Sequence, residues 1–302
     1  MTFTTQIKEE ITKEENNNIE DLTSLCTYLK FNATLEEDKM TVMVVNASVA
    51  RWIFKLLKTN YNVLIKLTTR TMKRFKARNL YILEVKEKLD LIYKDIDNIF
   101  KEISTSSDEE KKAFLKGMFL ACGSINDPKK NQYHLEFLVK EEEDAKLIDD
   151  LLNSLKIKSK VLKRDREYMV YVKSSENISD FIKYLGAFNA LFYFEDIRIY
   201  KDHKNMVNRL NNCEQANVER TLKSSKVILD NIKYLEDNDL LMLLDDRSKE
   251  IIEYKKKYPD TSLGELAEII TMETNKSITK SGINHHFRKI NALVKKAKEN
   301  HE

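Results

Sequence analysis

The spacing of apolar residues changes along the chain, and each change marks an element. IEDLTSLCTYLKF (19–31) repeats its apolar positions at helical spacing, KMTVMVVN (39–46) alternates like a strand, and ASVARWIFKLLKTN (47–60) returns to the helical period. VLIKLTTR and NLYILEVK then flank a basic run and predict a hairpin. LDLIYKDIDNIFKEI (89–103) predicts a connecting helix, after which the pattern starts again. Ser107 with Glu110 three residues on forms a capping-box signature for a helix through about Ala121. QYHLEFLV (132–139) reads as a strand, EEEDAKLIDDLLNSL as an amphipathic helix, KSKVLKRDREYMVYVK as a hairpin and SSENISDFIKYLGA as a Ser-capped helix. An extra short strand fits near Ser124. Setting Leu25 against Leu115 aligns helix with helix and strand with strand, at a period of about ninety residues. That period suits a duplicated α/β unit better than a solenoid.

After Gly186 the pattern becomes Asn-rich and then almost wholly helical. Pro259 breaks a helix, Thr261 or Ser262 caps SLGELAEII, a polar turn follows, and Thr279 caps a second helix. This is the order of a helix-turn-helix, although an αα-hairpin has the same outline. On the second helix Ile283, Phe287, Ile290 and Val294 form one apolar stripe, so the opposite face presents Ser281, His285, Arg288, Lys289 and Ala292. Ser and Arg can contact base edges, Arg especially guanine, and Ala can touch a thymine methyl. His285 and His286 read as surface or boundary residues, because neighbours in a helix point about 100° apart and suit a shared metal poorly. For Asn284, on the flank, phosphate contact and plain solvent exposure both stand.

At 302 residues, with 42% hydrophobic and 33% charged positions, the chain is expected to be soluble and to form two or more domains. Neither an apolar signal segment nor a run of roughly 20 apolar residues is present, which predicts a cytoplasmic protein without a membrane partner. Cys26, Cys122 and Cys213 are far apart and odd in number; reduced, buried packing residues are expected, with no zinc cluster. The net charge of +3 says little, but the placement of charge says more. Lys66, Arg70, Lys73, Arg74, Lys76 and Arg78 occur without an acid among them, as do Lys280, Arg288, Lys289, Lys295, Lys296 and Lys298. Either run alone could be a solvated face. Two of them in a chain of nearly balanced charge favour a polyanion, whose counterions clustered Lys and Arg release.

Two such α/β units, each opened by a helix ending in a small-residue bend, resemble the LAGLIDADG homing-endonuclease fold over about the first two thirds of the chain. The resemblance implies that the two motif helices pack at a pseudo-dyad. Gly117 and Ala121 suit that approach, while Thr27 and Phe31 at the matching positions are bulkier. It also puts the motif's metal-binding acid at Asn32 in the first copy and Cys122 in the second. A neutral amide and a thiol do not supply the hard oxygen ligands of Mg²⁺. Asp38 and Asp127 lie beyond the respective bends, where a displaced acidic ligand would have to come from.

FLKGMFLACGSIND, YHLEFLV, LGA, FEDIRI, VNRLNNCEQAN, YPDTSLGELAEII and ITKSGINHHFRKI, in this order, resemble the WhiA family of bacterial transcriptional regulators of sporulation or cell division. One departure is His286, where the family often has Arg. The fold expected is α+β: a duplicated LAGLIDADG-like domain over 1–200 (repeats about 1–88 and 105–200), a linker at 201–222, and an all-α helix-turn-helix domain over 223–302. The function expected is a non-enzymatic, cofactor-free transcriptional regulator binding double-stranded DNA, with transcription machinery as a further partner. A divergent nuclease and a protein-interaction adaptor are the alternatives. The DNA-contacting residues expected are Lys280, Ser281, Asn284, His285, Arg288, Lys289 and Lys296 on the recognition helix, and Arg70, Lys73, Arg74, Lys76 and Arg78 on the basic hairpin. Asn205, Asn208, Arg209, Asn212 and Asn217 either bind phosphates or cap helices and fix an interdomain angle.

Overall fold

The computed structural model describes residues 2–14, 17–72 and 78–299, the side chains of Met72 and Arg78 excepted. The chain divides into two compact units, Met1–Asp202 and His203–Glu302.

The first unit contains the same succession twice. α2 (Asn18–Asn32), β1 (Ala33–Leu35), β2 (Met40–Val44), α3 (Ala47–Tyr61), β3 (Ile65–Met72), β4 (Arg78–Val85) and α4 (Leu89–Glu102) form the first copy. α5 (Asp108–Cys122), β5 (Gly123–Ile125), β6 (Leu135–Val139), α6 (Glu142–Ser154), β7 (Lys160–Lys163), β8 (Tyr168–Val172) and α7 (Ser175–Tyr184) form the second. Each copy builds one antiparallel sheet of the same topology, β1-β2-β4-β3 and β5-β6-β8-β7. The short strand expected near Ser124 is β5, and β1 is its counterpart in the first copy. Both start directly from the C-terminus of a motif helix, because Ala33 and Gly123 turn extended and donate back to Leu29 and Phe119.

Alternation fixes which face of each sheet is covered. Met40, Val42 and Val44 are buried while Thr41 and Met43 are not, and Leu135, Phe137 and Val139 repeat the pattern on β6. The helices lie on the buried faces. Between the copies α2 packs on α5 so closely that a Cβ on Gly117 would stand 2.8 Å from Thr27 Cβ. Ser24 Oγ donates to the Ala113 carbonyl across the same seam (2.9 Å).

The opening segment holds an element the hydrophobic pattern did not predict. α1 (Phe3–Ile11) starts at the Thr2 cap and buries Phe3, Ile7 and Ile11 in the core of the first unit. Three buried residues in nine at i, i+4 and i+8 were readable as a helix face, but their polar surroundings hid them. α1 is fastened at both ends. Thr4 Oγ1 bonds Ile125 O and N (2.9 and 3.0 Å), and the Glu10 carboxylate accepts from the Asn189 and Ala190 amides (2.7 and 3.1 Å). Those amides open α8 (Phe188–Asp237), so Glu10 caps a helix from outside it.

α8 is 50 residues long. Its first turns bury Ala190 and Phe194 in the first unit, and its last turns bury Ile228, Ile232 and Leu235 in the second. Residues 201–222, expected as a linker, are therefore helical. Asn205, Asn208, Arg209, Asn212 and Asn217 are exposed helix-interior residues. They cap no helix, which corrects the capping alternative: a cap needs a helix end, and none lies within this stretch. Cys213 is exposed here too, against the expectation of burial, since no element of its own unit covers this part of the helix. Cys26 is buried and Cys122 half-buried; all three are free thiols.

The second unit continues with a 3₁₀ turn (Leu240–Leu243), α9 (Asp246–Lys257), α10 (Leu263–Thr274) and α11 (Lys280–Glu299). Ser262 is the cap of α10 and forms a full capping box with Glu265. Among the described residues no helix is long and apolar enough to cross a membrane.

Candidate nucleic-acid interface and the degenerate motif pair

α11 is held by the predicted stripe. Ile283, Phe287, Ile290 and Val294 are all buried, against Leu266, Ala267 and Ile270 of α10 and Ile251 and Ile252 of α9. Thr279 Oγ1 accepts from the Gly282 amide (3.2 Å) and opens the helix. Burying that stripe turns Lys280, Ser281, His285, Arg288, Lys289, Ala292 and Lys296 outward, and all are exposed. Asn284 is half-buried on the flank.

His286 sits at the edge of the core, as its position on the helical wheel implies. Its Nδ1 and Ser248 Oγ are 2.8 Å apart, and Asp245 Oδ1 lies 3.9 Å away. Burial lowers the imidazole's proton affinity, and Asp245 opposes this only in part. Asp245 also caps α9 through the Ser248 amide, which holds its carboxyl below the usual range. Lys289 Nζ lies 3.8 Å from the same carboxylate. Among the described residues Arg288 has no such acid, which leaves its guanidinium less committed than the Lys289 ammonium on the exposed face.

The basic hairpin is described only in part. Lys73, Arg74 and Lys76 lie outside the described residues, and so does the side chain of Arg78, whose backbone begins β4 opposite Met72. Lys66, Thr68 and Arg70 alternate onto the uncovered face of the first sheet. The run is less free of acid than it looks in the sequence, because Lys66 Nζ pairs with Glu84 Oε2 on the neighbouring strand (2.9 Å). Arg70 is exposed. The matching face of the second sheet differs: Glu136, bonded by Ser124 (3.0 Å), shares it with Tyr171, Lys160 and the apolar Leu138 and Leu162. Both faces carry cations: Lys66 and Arg70 with Glu84 on the first, and Lys160 with Glu136 on the second, where Lys173 Nζ also stands over the Tyr171 ring (5.1 Å).

At the ends of the paired motif helices, the residues in place of the metal-binding acids are committed elsewhere. Asn32 donates its side-chain amide to Tyr28 Oη one turn back. Cys122 donates to the Met118 carbonyl (3.5 Å), and burial pushes its thiol pKa up to about 12, so it stays protonated at neutral pH. Beside it lies a residue that sequence reasoning missed. Lys8, from α1, donates to the Leu120 carbonyl (3.0 Å) and stands over the Phe119 ring. Burial lowers its pKa to about 8. A neutral thiol, a neutral amide and an ammonium do not fit a hard divalent cation. Asp127 is no substitute, since its carboxylate accepts from the Lys129 amide in its own turn (2.9 Å), and Asp38 lies exposed in the β1–β2 turn. Among the described residues no group of three or more His, Cys, Asp or Glu is arranged to hold a metal.

Comparison with known proteins covers almost the whole chain. Residues 19–99 match the WhiA N-terminal LAGLIDADG-like domain, 111–204 the WhiA LAGLIDADG-like domain and 207–294 the WhiA C-terminal HTH domain. A protein of Oceanobacillus iheyensis named "Probable cell division protein WhiA" is 36% identical, over 99% of this chain and 98% of that one. A Bacillus cereus protein of the same name is 37% identical, over 98% and 97%. The crystal structure of full-length WhiA from Thermotoga maritima superposes with a TM-score of 0.60 over 98% of this chain and 99% of that one, at 21% identity. With two LAGLIDADG-like repeats, an exposed α11 on a helix-turn-helix core and relatives matched end to end, the chain belongs to the WhiA family.

Proposed function

We propose that the protein is a sequence-specific transcriptional regulator that binds double-stranded DNA and has no nuclease activity. Residues 223–302 read the site, and residues 1–200 serve as a scaffold with an auxiliary basic hairpin. The observation that carries this reading is α11: a buried apolar stripe on one side and Ser281, His285, Arg288, Lys289 and Ala292 exposed on the other. Asn32, Cys122 and Lys8 support the absence of cleavage, because they offer no anionic oxygen to a metal. The relatives' name points to cell-division genes as targets, with sporulation genes as the other class the family resemblance implies. The place of action is the cytoplasm, at the nucleoid.

The uncovered face of the second sheet, where Leu138, Leu162 and Tyr171 lie together, favours a further role in docking transcription machinery. The test is selection of bound sequences from a random duplex pool by the full chain, followed by genome-wide crosslinking. One motif should emerge from the pool and lie upstream of cell-division or sporulation genes. Enrichment of no motif from the pool would overturn the reading.

A further inference from the structure

We infer that a hollow between α8, α9, α10 and α11 is a site for a backbone phosphodiester of the bound duplex. This rests on the DNA-binding reading and assigns its ligand at one place. The hollow measures about 180 Å³, and Arg220, Thr221, Ser224, Lys255, Ser262 and Lys280 supply its polar lining. Three cations and several hydroxyls line it, and no carboxylate or aromatic ring does. That chemistry suits an oxyanion; nothing in it would stack a base or hold an ammonium.

Lys255 is the unusual member. Its side chain is buried to 1% exposure, yet its one hydrogen bond, to the Thr261 carbonyl (2.7 Å), leaves two of its three donors without an acceptor among the described residues. Burial lowers its proton affinity, while Asp260 and Glu265 nearby raise it. A buried ammonium on the wall of an open hollow is costly unless an anion completes its bonding. The start of α10 lies on the same wall. Ser262 and Glu265 satisfy each other's amides (3.3 and 2.7 Å), whereas the Leu263 and Gly264 amides, in the first turn of α10, have no acceptor among the described residues. Gly264, which follows the lining residues Ser262 and Leu263, has open space above it: the nearest atom its Cβ would meet is Ser262 Oγ at 3.8 Å.

Lys280 ties this hollow to the duplex. It is the first residue of α11, so the hollow opens beside the helix whose outer face reads bases. Its ammonium is thereby assigned to the phosphate and not to a base edge. Such a contact fixes the register of the helix in the groove and carries no sequence information itself.

The experiment is a salt titration of the full chain on a random duplex, with Arg220→Gln, Lys280→Gln and Gly264→Asp, and Lys233→Gln, an exposed α8 residue outside the hollow, as control. Gly264→Asp should leave the melting temperature unchanged or raised, because a carboxylate favours a helix start. It should nonetheless weaken DNA binding about tenfold or more, since the diester loses charge-assisted bonds. Arg220→Gln and Lys280→Gln should each flatten the log K against log salt slope by roughly 0.9 on every sequence. The control should change neither.

If wild-type protein selects a site but the three hollow variants bind like the wild type at every salt concentration, the assignment falls and the DNA reading stands. If wild-type protein binds no duplex, both fall. In a parallel arm, inorganic phosphate is added at constant ionic strength. Thermal stabilisation that the hollow variants lose, without any change in their DNA binding, would assign the hollow to free phosphate and overturn the proposal.

Discussion

Gly117 and Ser24 meet backbone to backbone at the centre of the first unit. A Cβ on Gly117 would stand 2.3 Å from the Ser24 carbonyl oxygen, closer than any stable contact allows. The obstacle is main chain on both sides, so no rotamer change relieves it. Gly117→Ala should force α2 and α5 apart and destabilise the unit by about 3 kcal/mol or more, at the upper end of what overpacking costs. Thermal or denaturant unfolding checks this. A loss below about 1 kcal/mol would mean that the seam yields easily.

That seam also separates what was legible in the sequence from what was not. The duplication, the Ser107–Glu110 capping box and the α11 stripe follow from local periodicity and cap chemistry, which sequence records directly, while the α10 cap was narrowed only to Thr261 or Ser262. Gly117 was recognisable as the small residue of the second motif helix, but its partner was not. Ser24 is selected by the way two helices 89 positions apart in the bond Ser24–Ala113 cross, and no local pattern encodes a crossing. Lys8 was missed for the same reason. Its role comes from where α1 docks, and α1 is a short helix whose three core residues sit among polar ones. Long-range pairing explains the acidic partner of Lys66 as well: Glu84 reaches it through strand register and not through sequence proximity.

Lys8 makes a pH-dependent prediction. Its folded pKa, lowered to about 8 by burial, lies below the unfolded value near 10.5. Below pH 8 the residue is charged in both states, and the full cost of burying its charge opposes folding, at most about 3 kcal/mol. Between about pH 8 and 10.5 the unfolded chain holds the extra proton, so stability from this group rises with pH. Lys8→Met should therefore stabilise the protein most at neutral pH, with the advantage shrinking as pH approaches 10.5. Melting temperatures of both proteins at pH 7 and pH 10 test it. An advantage that grows with pH would show that the ammonium is stabilised where it lies.

Purified protein should leave supercoiled plasmid intact in the presence of Mg²⁺ or Mn²⁺. The reason is electrostatic as well as a matter of missing ligands: the Cys122 thiol remains protonated and the Lys8 ammonium stands beside it, so a divalent cation would meet repulsion where it needs anionic oxygen. Plasmid nicking that disappears when Asp38 and Asp127 are both changed to Asn would reinstate the nuclease reading. Changing Cys122→Asp alone should not create activity, since Asn32 stays bonded to Tyr28 and Lys8 would pair with the new acid.

Arg288 distinguishes base reading from general attraction to DNA. Phe287 beside it is buried, which turns the Arg288 guanidinium outward, and no carboxylate among the described residues holds it as Asp245 holds Lys289. From the middle of α11 the side chain can reach a groove, where a bidentate contact to guanine gives roughly 1–3 kcal/mol of discrimination. Arg288→Ala should thus lower affinity for the selected site by about tenfold or more, and affinity for random DNA much less. Folding should be almost untouched, since the residue contributes nothing to the buried stripe. Lys296→Ala, exposed two turns further on, should weaken both duplexes about equally, as loss of a phosphate contact does. Competition binding at one fixed salt concentration, with circular dichroism to confirm helix content, makes the comparison. Equal losses on both duplexes for Arg288→Ala would make α11 a phosphate anchor and remove it as the reading element.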